Sequence, residues 1–210
     1  MKKLLLVTLL LLAGSFSVHA ASNDFQEGSA YKKISPEQPT ADPSKVEVVE
    51  LFWYGCPHCH RFQVHVDRWL KTKPDNVNFI RMPAILNEEW ALHARAFYSA
   101  QILGVLDKIH PALFHAIHEE RRKVFTEKAL MAFFAEYGIN NDDFKKTFHS
   151  FAVDGKVRRA KQMTRRYRTR GTPTVVVNGK YTSGPGMAGS FTKLIDVINY
   201  LIEKETKAAL

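Results

Sequence analysis

An almost unbroken run of apolar residues at 46–54 is the first regular pattern along the chain after its leader. A run of this kind is typical of a strand in the middle of a sheet that is covered on both faces. The pattern then changes to helical spacing, with apolar residues at Cys59, Phe62, Val66, Trp69 and Leu70. Spacings of three and four residues place these side chains on one face of a helix. The sequence therefore predicts a central strand that leads directly into an amphipathic helix.

The rest of the chain shows strand and helix signals in an order that indicates an α/β fold. A second strand candidate at 77–82 ends at a proline, and a long stretch without strand signals follows. Helical patterns are predicted in that stretch for residues 88–103, 126–137, 141–151 and 154–168. Strand patterning resumes at 174–177, and the Asn-Gly pair at 178–179 predicts a tight hairpin into a short strand at 180–182. A last amphipathic helix completes the order β-α-β, helical block, β-β-α.

The first twenty residues have the three-part plan of a secretory signal. A basic start precedes the apolar run 4–12, and small residues lead up to Ala20, after which cleavage is expected. The apolar run is well short of the ~20 residues that a membrane-spanning helix needs, which disfavours the alternative of a membrane anchor. The sequence thus predicts an exported protein, in a space where disulfides persist. Residues 21–44 are polar and contain several prolines, so we expect them to form a flexible lead-in.

The net positive charge of the chain bears on which partners it could bind. The formal net charge of the full chain is +9, and removal of Lys2 and Lys3 with the leader lowers it to +7. Such a charge suits nucleic acid, but no nucleic-acid-binding motif is present and an exported protein seldom meets nucleic acid. The basic residues concentrate between 156 and 170. This stretch is either a solvated helix face or a surface that meets acidic membranes or acidic partners.

The chain contains two cysteines, Cys56 and Cys59, which stand between the predicted strand and the predicted helix. A bridge within this Cys-x-x-Cys pair closes a loop too short to add much stability to a chain of this size. A zinc site is also disfavoured, because one pair supplies two ligands and the nearby His58 and His60 lack the spacing of a closed site. The favoured interpretation is a dithiol without a metal that cycles through a disulfide.

The two thiols are expected to differ. Cys59 belongs to the buried helical stripe, whereas Cys56 precedes the first turn. Pro57 suits the first helical position, where its missing N–H is no loss. Cys56 therefore faces unpaired backbone N–H groups and the positive end of the helix dipole, both of which favour a thiolate. The neighbouring His58 can add a positive charge or a hydrogen bond, the alternative being an exposed polar residue without a role. A stabilised thiolate makes the corresponding disulfide a stronger oxidant.

Histidines in the helical block offer no clear site. They are His93, His110, His115, His118 and His149. The pair at 115 and 118 can share a helix face, but no third metal ligand accompanies it. We therefore expect these side chains to be surface or packing residues.

Four features occur together in this chain, namely the Cys-Pro-His-Cys sequence at 56–59, the exported context, the helical block and the Gly-Thr-Pro-Thr sequence at 171–174. With these features the chain resembles the DsbA family of periplasmic thiol:disulfide oxidoreductases. The resemblance covers essentially the whole mature chain. It implies a low pKa for the first cysteine and an oxidising pair, both of which are properties of that family. It also implies a thioredoxin fold with an inserted all-helical domain. The two thioredoxin-like parts and the insertion between them would occupy residues 45–85, 170–210 and 86–169 respectively.

The resemblance also implies roles for residues outside the dithiol. Thr172 and Pro173 match the place where thioredoxin-like folds carry a cis proline opposite the dithiol, in a loop that pairs with substrate and keeps the site free of metal. The alternative is an ordinary trans proline at the start of a strand. Glu50 is a charge within the first apolar strand, where a buried carboxylate beneath Cys59 would pass protons during exchange. A glutamate at a strand edge or end, without such a role, is the alternative.

The function implied by the resemblance is that of a periplasmic disulfide oxidase without a cofactor. Its disulfide would accept attack at Cys56 by a thiolate of an unfolded or newly exported protein, and a membrane reoxidant of the DsbB type would regenerate it. The protein is expected to be a monomer. Two alternatives stay open, namely an isomerase or reductase with the same chemistry, and a peptide-binding chaperone in which the dithiol is incidental.

Overall fold

The central strand of the fold is β2 (Val46–Phe52), and all of its residues are buried. The structure is a computed structural model, which describes residues 25–208 of the chain. β2 pairs in parallel with β3 (Val77–Pro83) and antiparallel with β4 (Thr174–Val177). A strand with neighbours on both sides and a covered face above and below accounts for the nearly continuous apolar run. The predicted central strand is confirmed, although it ends two residues earlier than the pattern indicates.

Within the described residues the sheet has five strands in the order β1-β5-β4-β2-β3, where β1 is Lys32–Lys33 and β5 is Tyr181–Ser183. The pairings of β1 with β5 and of β5 with β4 are antiparallel. The predicted hairpin between β4 and β5 is confirmed, with Asn178 and Gly179 at φ values of 51° and 65°, although the second strand is 181–183 rather than 180–182. Two left-handed residues are what this type of tight turn requires. A Cβ at Gly179 would lie 2.0 Å from the carbonyl oxygen of Gln38, so the position also needs glycine for space.

Helices cover both faces of the sheet. On one face, α1 (Pro57–Leu70) and α8 (Phe191–Ala208) pack against Val48 and its neighbours. On the other face, the end of α6 (Phe151–Arg166) packs against Val49. Consecutive residues of β2 thus point to opposite faces, as the pleat of a strand requires. The predicted α/β architecture is confirmed.

A helical block stands between β3 and β4. In the described chain it contains α2 (Glu88–Ile102), α3 (Leu106–His118), α4 (Glu127–Ala135), α5 (Asn141–Phe148) and α6. Its core is built from aromatic side chains, among them Phe97, Phe114, Phe133, Phe134, Phe144 and Phe148. The same cluster includes Cys56 and Cys59, so the block packs directly beneath the dithiol. A short helix, α7 (Pro185–Ala188), follows β5.

Local capping and one internal proline explain where the observed helices differ from the predicted ones. α3 is not indicated as a helix by the sequence, because Pro111 lies inside it and Val105 gives its N-terminus no side-chain cap. α6 begins at Phe151 rather than at 154, because the hydroxyl of Ser150 accepts the backbone N–H of Val153 at 3.2 Å. The helix before it accordingly ends at Phe148 and not at 151.

The expectation of a flexible lead-in at 21–44 is wrong for the part that the structure describes. Tyr31 is 3% exposed, and its ring meets that of Tyr181 edge-on at 5.5 Å. Ile34 is buried in the cluster on the opposite face of the sheet. The N–H of Gln38 donates to the Gly179 carbonyl at 3.0 Å. A few buried apolar residues suffice to hold this otherwise polar segment on the sheet, because each contributes on the order of 1.5–3 kcal/mol.

The signal peptide predicted at 1–20 lies outside the described residues. From residue 25 to residue 208, no helix combines the length and the apolar character needed to cross a membrane.

Replacement of Tyr31 by alanine should lower the free energy of unfolding by about 3–4 kcal/mol, the usual cost of truncating a buried aromatic side chain. Urea denaturation followed by far-ultraviolet circular dichroism measures the change. Ser29→Ala is the matched control at an exposed position of the same segment, and it should change stability by less than about 0.5 kcal/mol. Equal effects of the two substitutions would show that the segment is not packed as described.

Candidate active site

Cys56 is the N-cap residue of α1, the helix that follows the central strand. Its backbone is extended, with φ −91° and ψ 113°, and its N–H donates to the Trp53 carbonyl at 3.0 Å. Pro57 is the first helical residue, as the sequence predicts, and it has no N–H to leave unpaired. The N–H of Cys59, which is one of the free donors of the first turn, donates to the Cys56 sulfur at 3.3 Å. A sulfur atom thus takes the capping position that an oxygen of Ser or Asp usually fills.

Cys59 lies one turn further along α1 and is completely buried. It shares the buried face of the helix with Phe62, Val66 and Trp69, whereas Cys56 retains 7% of its surface. The two cysteines are not joined, so the structure represents the dithiol form. An incoming molecule can reach Cys56 and not Cys59. The thiols are therefore unequal, as the helical spacing predicts.

Hydrogen bonds lower the pKa of Cys56 from its ordinary value of 9.0 to about 5. The Cys59 thiol contributes most, burial opposes the change, and the Thr172 side chain and the backbone N–H groups of Cys59 and His58 add to it. The pKa of Cys59 moves in the opposite direction, because burial and then the adjacent Cys56 sulfur raise it well above the ordinary value. At neutral pH the reduced pair therefore holds one thiolate, on Cys56, and one thiol, on Cys59.

The loop before β4 lies against Cys56. The carbonyl oxygen of Thr172 is 3.3 Å from the Cys56 sulfur, and the Thr172–Pro173 peptide bond is cis. The Thr174 hydroxyl donates to the Gly171 carbonyl at 2.7 Å and thereby holds the loop closed. Thr172 and Pro173 thus lie beside the dithiol, and the alternative of an ordinary trans proline is wrong.

The contact of the His58 ring in the described structure is with Arg61 and not with Cys56. The side chain is exposed, and its Nδ1 lies 3.0 Å from the guanidinium group of Arg61, one turn along the helix. The contribution of His58 to the low pKa of Cys56 comes from its backbone N–H. The expected charge or hydrogen bond from the imidazole is therefore corrected to a main-chain interaction, which any residue except proline supplies.

Glu50 is fully buried inside β2. Its Oε1 accepts a hydrogen bond from Nε2 of Gln63 at 3.3 Å, and its Oε2 lies 3.4 Å from Nε of Arg81 on β3. Burial raises the pKa of Glu50 to about 7, and Arg81 opposes part of this rise. Gln63 follows Cys59 by four residues and so stands on the same face of α1. Glu50 is thus a buried carboxyl group on the Cys59 side of the helix, and the alternative of a strand-edge glutamate is wrong.

A buried chain of polar groups continues from Gln63 into the helical block. Gln63 Oε1 lies 3.1 Å from Nε2 of His110, and the Tyr54 hydroxyl lies 3.0 Å from Nδ1 of the same ring. Because an amide oxygen only accepts, we assign the ring proton to Nε2, and the Tyr54 hydroxyl donates to Nδ1. Burial lowers the pKa of His110 well below its ordinary value, so the ring is neutral. The expectation that His110 merely packs is corrected, since it connects the helical block to Glu50.

The remaining histidines of the block have structural partners, as expected. His93 and His118 donate to backbone carbonyls, at 2.9 Å and 2.7 Å. His115 and His149 stand at the surface beside glutamates. Among residues 25–208, no three or more His, Cys, Asp or Glu side chains converge in a way that could hold a metal ion.

Three features define the class of thioredoxin-fold thiol:disulfide oxidoreductases. They are a buried parallel pair of strands, a helix capped by a reactive cysteine, and a cis-proline loop that lies against that cysteine. The family model of the DSBA-like thioredoxin domain matches residues 79–193. The matched range includes the helical block and the cis-proline loop but begins after the dithiol. The family match and the Cys-x-x-Cys pair are therefore independent observations. The chain belongs to the DsbA-like thioredoxin family.

Similarity to named relatives extends over the whole chain. The thiol:disulfide interchange protein DsbA of Pseudomonas aeruginosa is 39% identical over 209 residues, which cover 100% of this chain and 99% of that protein. The protein of the same name from Azotobacter vinelandii is 37% identical, with 99% and 100% coverage. The crystal structure of P. aeruginosa DsbA matches with a TM-score of 0.84 and 39% identity over 90% of this chain and 98% of that chain. The predicted thioredoxin fold with a helical insertion is confirmed.

Since the Cys59 thiol contributes most to the low pKa of Cys56, Cys59→Ala should raise that pKa toward 9. Cys59→Ser keeps a donor at the same place and should raise it less. The ultraviolet absorbance of the thiolate and the alkylation rate of Cys56, each followed against pH, measure the pKa. The reference is the reduced wild-type protein, for which we expect a midpoint at about pH 5. An unchanged pKa in the alanine variant would assign the effect to the helix N-terminus alone.

Proposed function

We propose that this chain is an exported disulfide oxidase, which transfers the Cys56–Cys59 disulfide to newly exported proteins. The observation that carries the proposal is the convergence of donors on the Cys56 sulfur, which stabilises the thiolate and hence the reduced form of the pair. A pair whose reduced form is stabilised gives up its disulfide readily. The name shared by the full-length relatives, thiol:disulfide interchange protein, supports the same activity.

The size of the effect is sufficient to distinguish an oxidase from a reductase. With a pKa of about 5 for Cys56, ionisation at pH 7 stabilises the reduced pair by about 3 kcal/mol, at ~1.36 kcal/mol for each pH unit. At ~30 mV for each 1.4 kcal/mol, this amounts to roughly 60 mV toward a more oxidising pair. The gain is present above the pKa of Cys56 and fades as the pH falls through it, because Cys56 of the reduced pair is then a neutral thiol.

The reaction is a pair of thiol–disulfide exchanges. A substrate thiolate attacks the accessible Cys56 sulfur, the Cys56–Cys59 bond breaks, and Cys59 leaves with the electron pair. A second substrate thiolate then attacks the substrate sulfur of the mixed disulfide, which forms the substrate disulfide and releases the Cys56 thiolate. The substrate loses two electrons and the dithiol gains them. Thr172 and Pro173, which lie beside Cys56, are proposed to contact the substrate backbone during both steps.

Cys59 requires a proton when it leaves, because its own pKa is well above neutral. Glu50 has a pKa of about 7 and lies on the same side of α1, which suits it to supply that proton and later to recover it. Arg81 and Gln63 position the carboxyl group. We therefore propose Glu50 as the proton carrier of the dithiol, and we propose that Pro57 and the His58 backbone tune the Cys56 thiolate.

The proposal also includes a cellular location and a redox partner. The leader pattern at 1–20 and the family relationship support an exported, periplasmic protein that acts as a monomer without a cofactor. After each turnover the dithiol must be oxidised again, and a membrane protein of the DsbB type is the proposed reoxidant. The isomerase or reductase and the peptide-binding chaperone remain the competing functions for the experiment to separate.

Oxidation of a reduced, unfolded protein with several cysteines tests the activity. The oxidised wild-type protein should introduce disulfides stoichiometrically and faster than it corrects a scrambled substrate, because its reduced form is the more stable one. Cys56→Ser should abolish the reaction, whereas Ser29→Ala, far from the dithiol in sequence and exposed, should not change it. Faster correction of the scrambled substrate would instead identify an isomerase. Unchanged support of folding by Cys56→Ser would identify a chaperone.

Glu50→Gln should slow substrate oxidation by about tenfold or more below pH 7, where wild-type Glu50 holds its proton. Above pH 7 the two rates should converge, because the wild-type carboxyl group has then lost its proton. Glu47→Gln is the matched control on the same strand, since Glu47 is also buried and its carboxylate accepts the N–H of Ala41 at 3.0 Å. A constant ratio between variant and wild type at every pH would reduce Glu50 to a structural role.

A further inference from the structure

A groove opens beside the cis-proline loop, between β1, the segment 167–174 and the turn after β5. Its volume is about 560 Å³, within the range of clefts that hold ligands. Thr172 and Pro173 line it, and the Thr172 carbonyl is 3.3 Å from the Cys56 sulfur. A polypeptide whose cysteine has reached Cys56 therefore lies at the entrance of the groove.

The groove is strongly basic. Four of its lining residues are cationic, namely Lys32, Lys33, Arg168 and Arg170, and none is acidic. Lys33 has an exposed partner in Glu27 at 3.2 Å, and Arg168 donates to the Ser35 carbonyl at 2.8 Å, which leaves the charge of Arg168 without an acid. Within residues 25–208, neither Lys32 nor Arg170 forms an ion pair. Positive potential is concentrated where field lines enter a concave surface.

The basic run at 156–170 separates into two parts in space. On α6, Arg158 pairs with Asp154 at 2.8 Å and Lys161 with Glu88 at 3.3 Å, so these two cations have acidic partners at the surface. The second part follows the end of α6 and runs to the cis-proline loop, where Arg168 and Arg170 face the groove. This second part, together with Lys32 of β1, accounts for the uncompensated charge next to the dithiol.

We propose that this groove selects substrates with Asp or Glu close to the reactive cysteine, and that Arg170 and Lys32 bind those carboxylates. The proposal rests on the proposed function, since it concerns the substrates of the same dithiol. The occupant is an extended acidic segment of polypeptide. The charges act on recognition and leave the chemistry of Cys56 unchanged.

A polypeptide fits these features better than an anionic membrane surface does. The cations line a concave groove that continues from the reacting sulfur, where a chain of residues can follow. A surface that lies on lipid combines cations with exposed apolar side chains. The large exposed apolar residues of the described chain are Val64, Leu86, Ile102 and Phe151, and none of them lines the groove.

Three reduced peptides test the proposal, each with two cysteines and differing only by Glu, Gln or Lys at the flanking positions. The oxidised protein should oxidise the Glu peptide about three- to tenfold faster than the Gln peptide at low salt, which is the effect of one or two exposed charge pairs. The Lys peptide should be slowest. The differences should shrink at high ionic strength because salt screens exposed charges.

Charge reversal assigns the preference to the groove. Lys32→Glu combined with Arg170→Glu should invert the order and favour the Lys peptide. Lys145→Glu combined with Lys146→Glu makes the same change of net charge at exposed positions of α5, and it should keep the wild-type order. Equal rates for the Glu and Gln peptides with wild-type protein, or an unchanged order in the groove variant, would overturn the proposal.

A binding measurement separates this proposal from the oxidase function. The same peptides with serine in place of cysteine are titrated into the wild-type protein and followed by nuclear magnetic resonance. Tighter binding of the Glu peptide without any peptide oxidation would retain the groove and reject the oxidase. If the groove variant loses binding only to vesicles with anionic lipid, and no peptide preference exists, the surface is a membrane contact and the proposal fails.

Discussion

The site depends on one constraint, namely that the Cys56 sulfur must accept hydrogen bonds from the first turn of α1 while it remains outside the helix. Outside the helix it can be reached, and hydrogen bonds from Cys59 keep it ionised. The buried stripe of α1 satisfies both conditions, because it holds Cys59 in the core directly below Cys56. A rotation of the helix by one residue, about 100°, would expose Cys59 and move the donors away. The packing of the helix and the acidity of the thiol therefore have the same origin.

The polar chain beneath the dithiol is a second consequence of this packing. Buried polar groups are costly unless they are hydrogen-bonded, and Tyr54, His110 and Gln63 each have a partner. Glu50 is less well satisfied, because Oε2 has only the 3.4 Å contact with Arg81 and no aligned donor. An incompletely satisfied buried carboxylate favours its protonated form, which is the property that a proton carrier near neutral pH requires.

The positions of the charged residues in the sequence do not indicate which of them share a surface in the folded protein. The basic residues at 156–170 are close in sequence, yet Arg158 and Lys161 have acidic partners, whereas Arg168 and Arg170 line the groove beside Cys56. β1 adds Lys32 and Lys33 to the groove from a segment far away in sequence. The same strand explains why a polar, proline-containing segment is ordered, since it pairs with β5 and buries Tyr31.

By itself, the sequence determined the elements and residues whose signals are local. The central strand, α1 with its unequal cysteines, the Asn-Gly hairpin and the Thr-Pro sequence before β4 follow from periodicity, capping chemistry and short motifs, which act over a few residues. Only the tertiary structure decided that the His58 ring contacts Arg61 and not Cys56, that His110 reaches Gln63, and that the lead-in completes the sheet. The last two contacts join residues that are far apart in sequence, up to more than a hundred positions, and their formation depends on which surfaces the folded core brings together. The His58 ring meets Arg61 one turn along the helix, which is a choice of side-chain rotamer that the residue pattern does not specify.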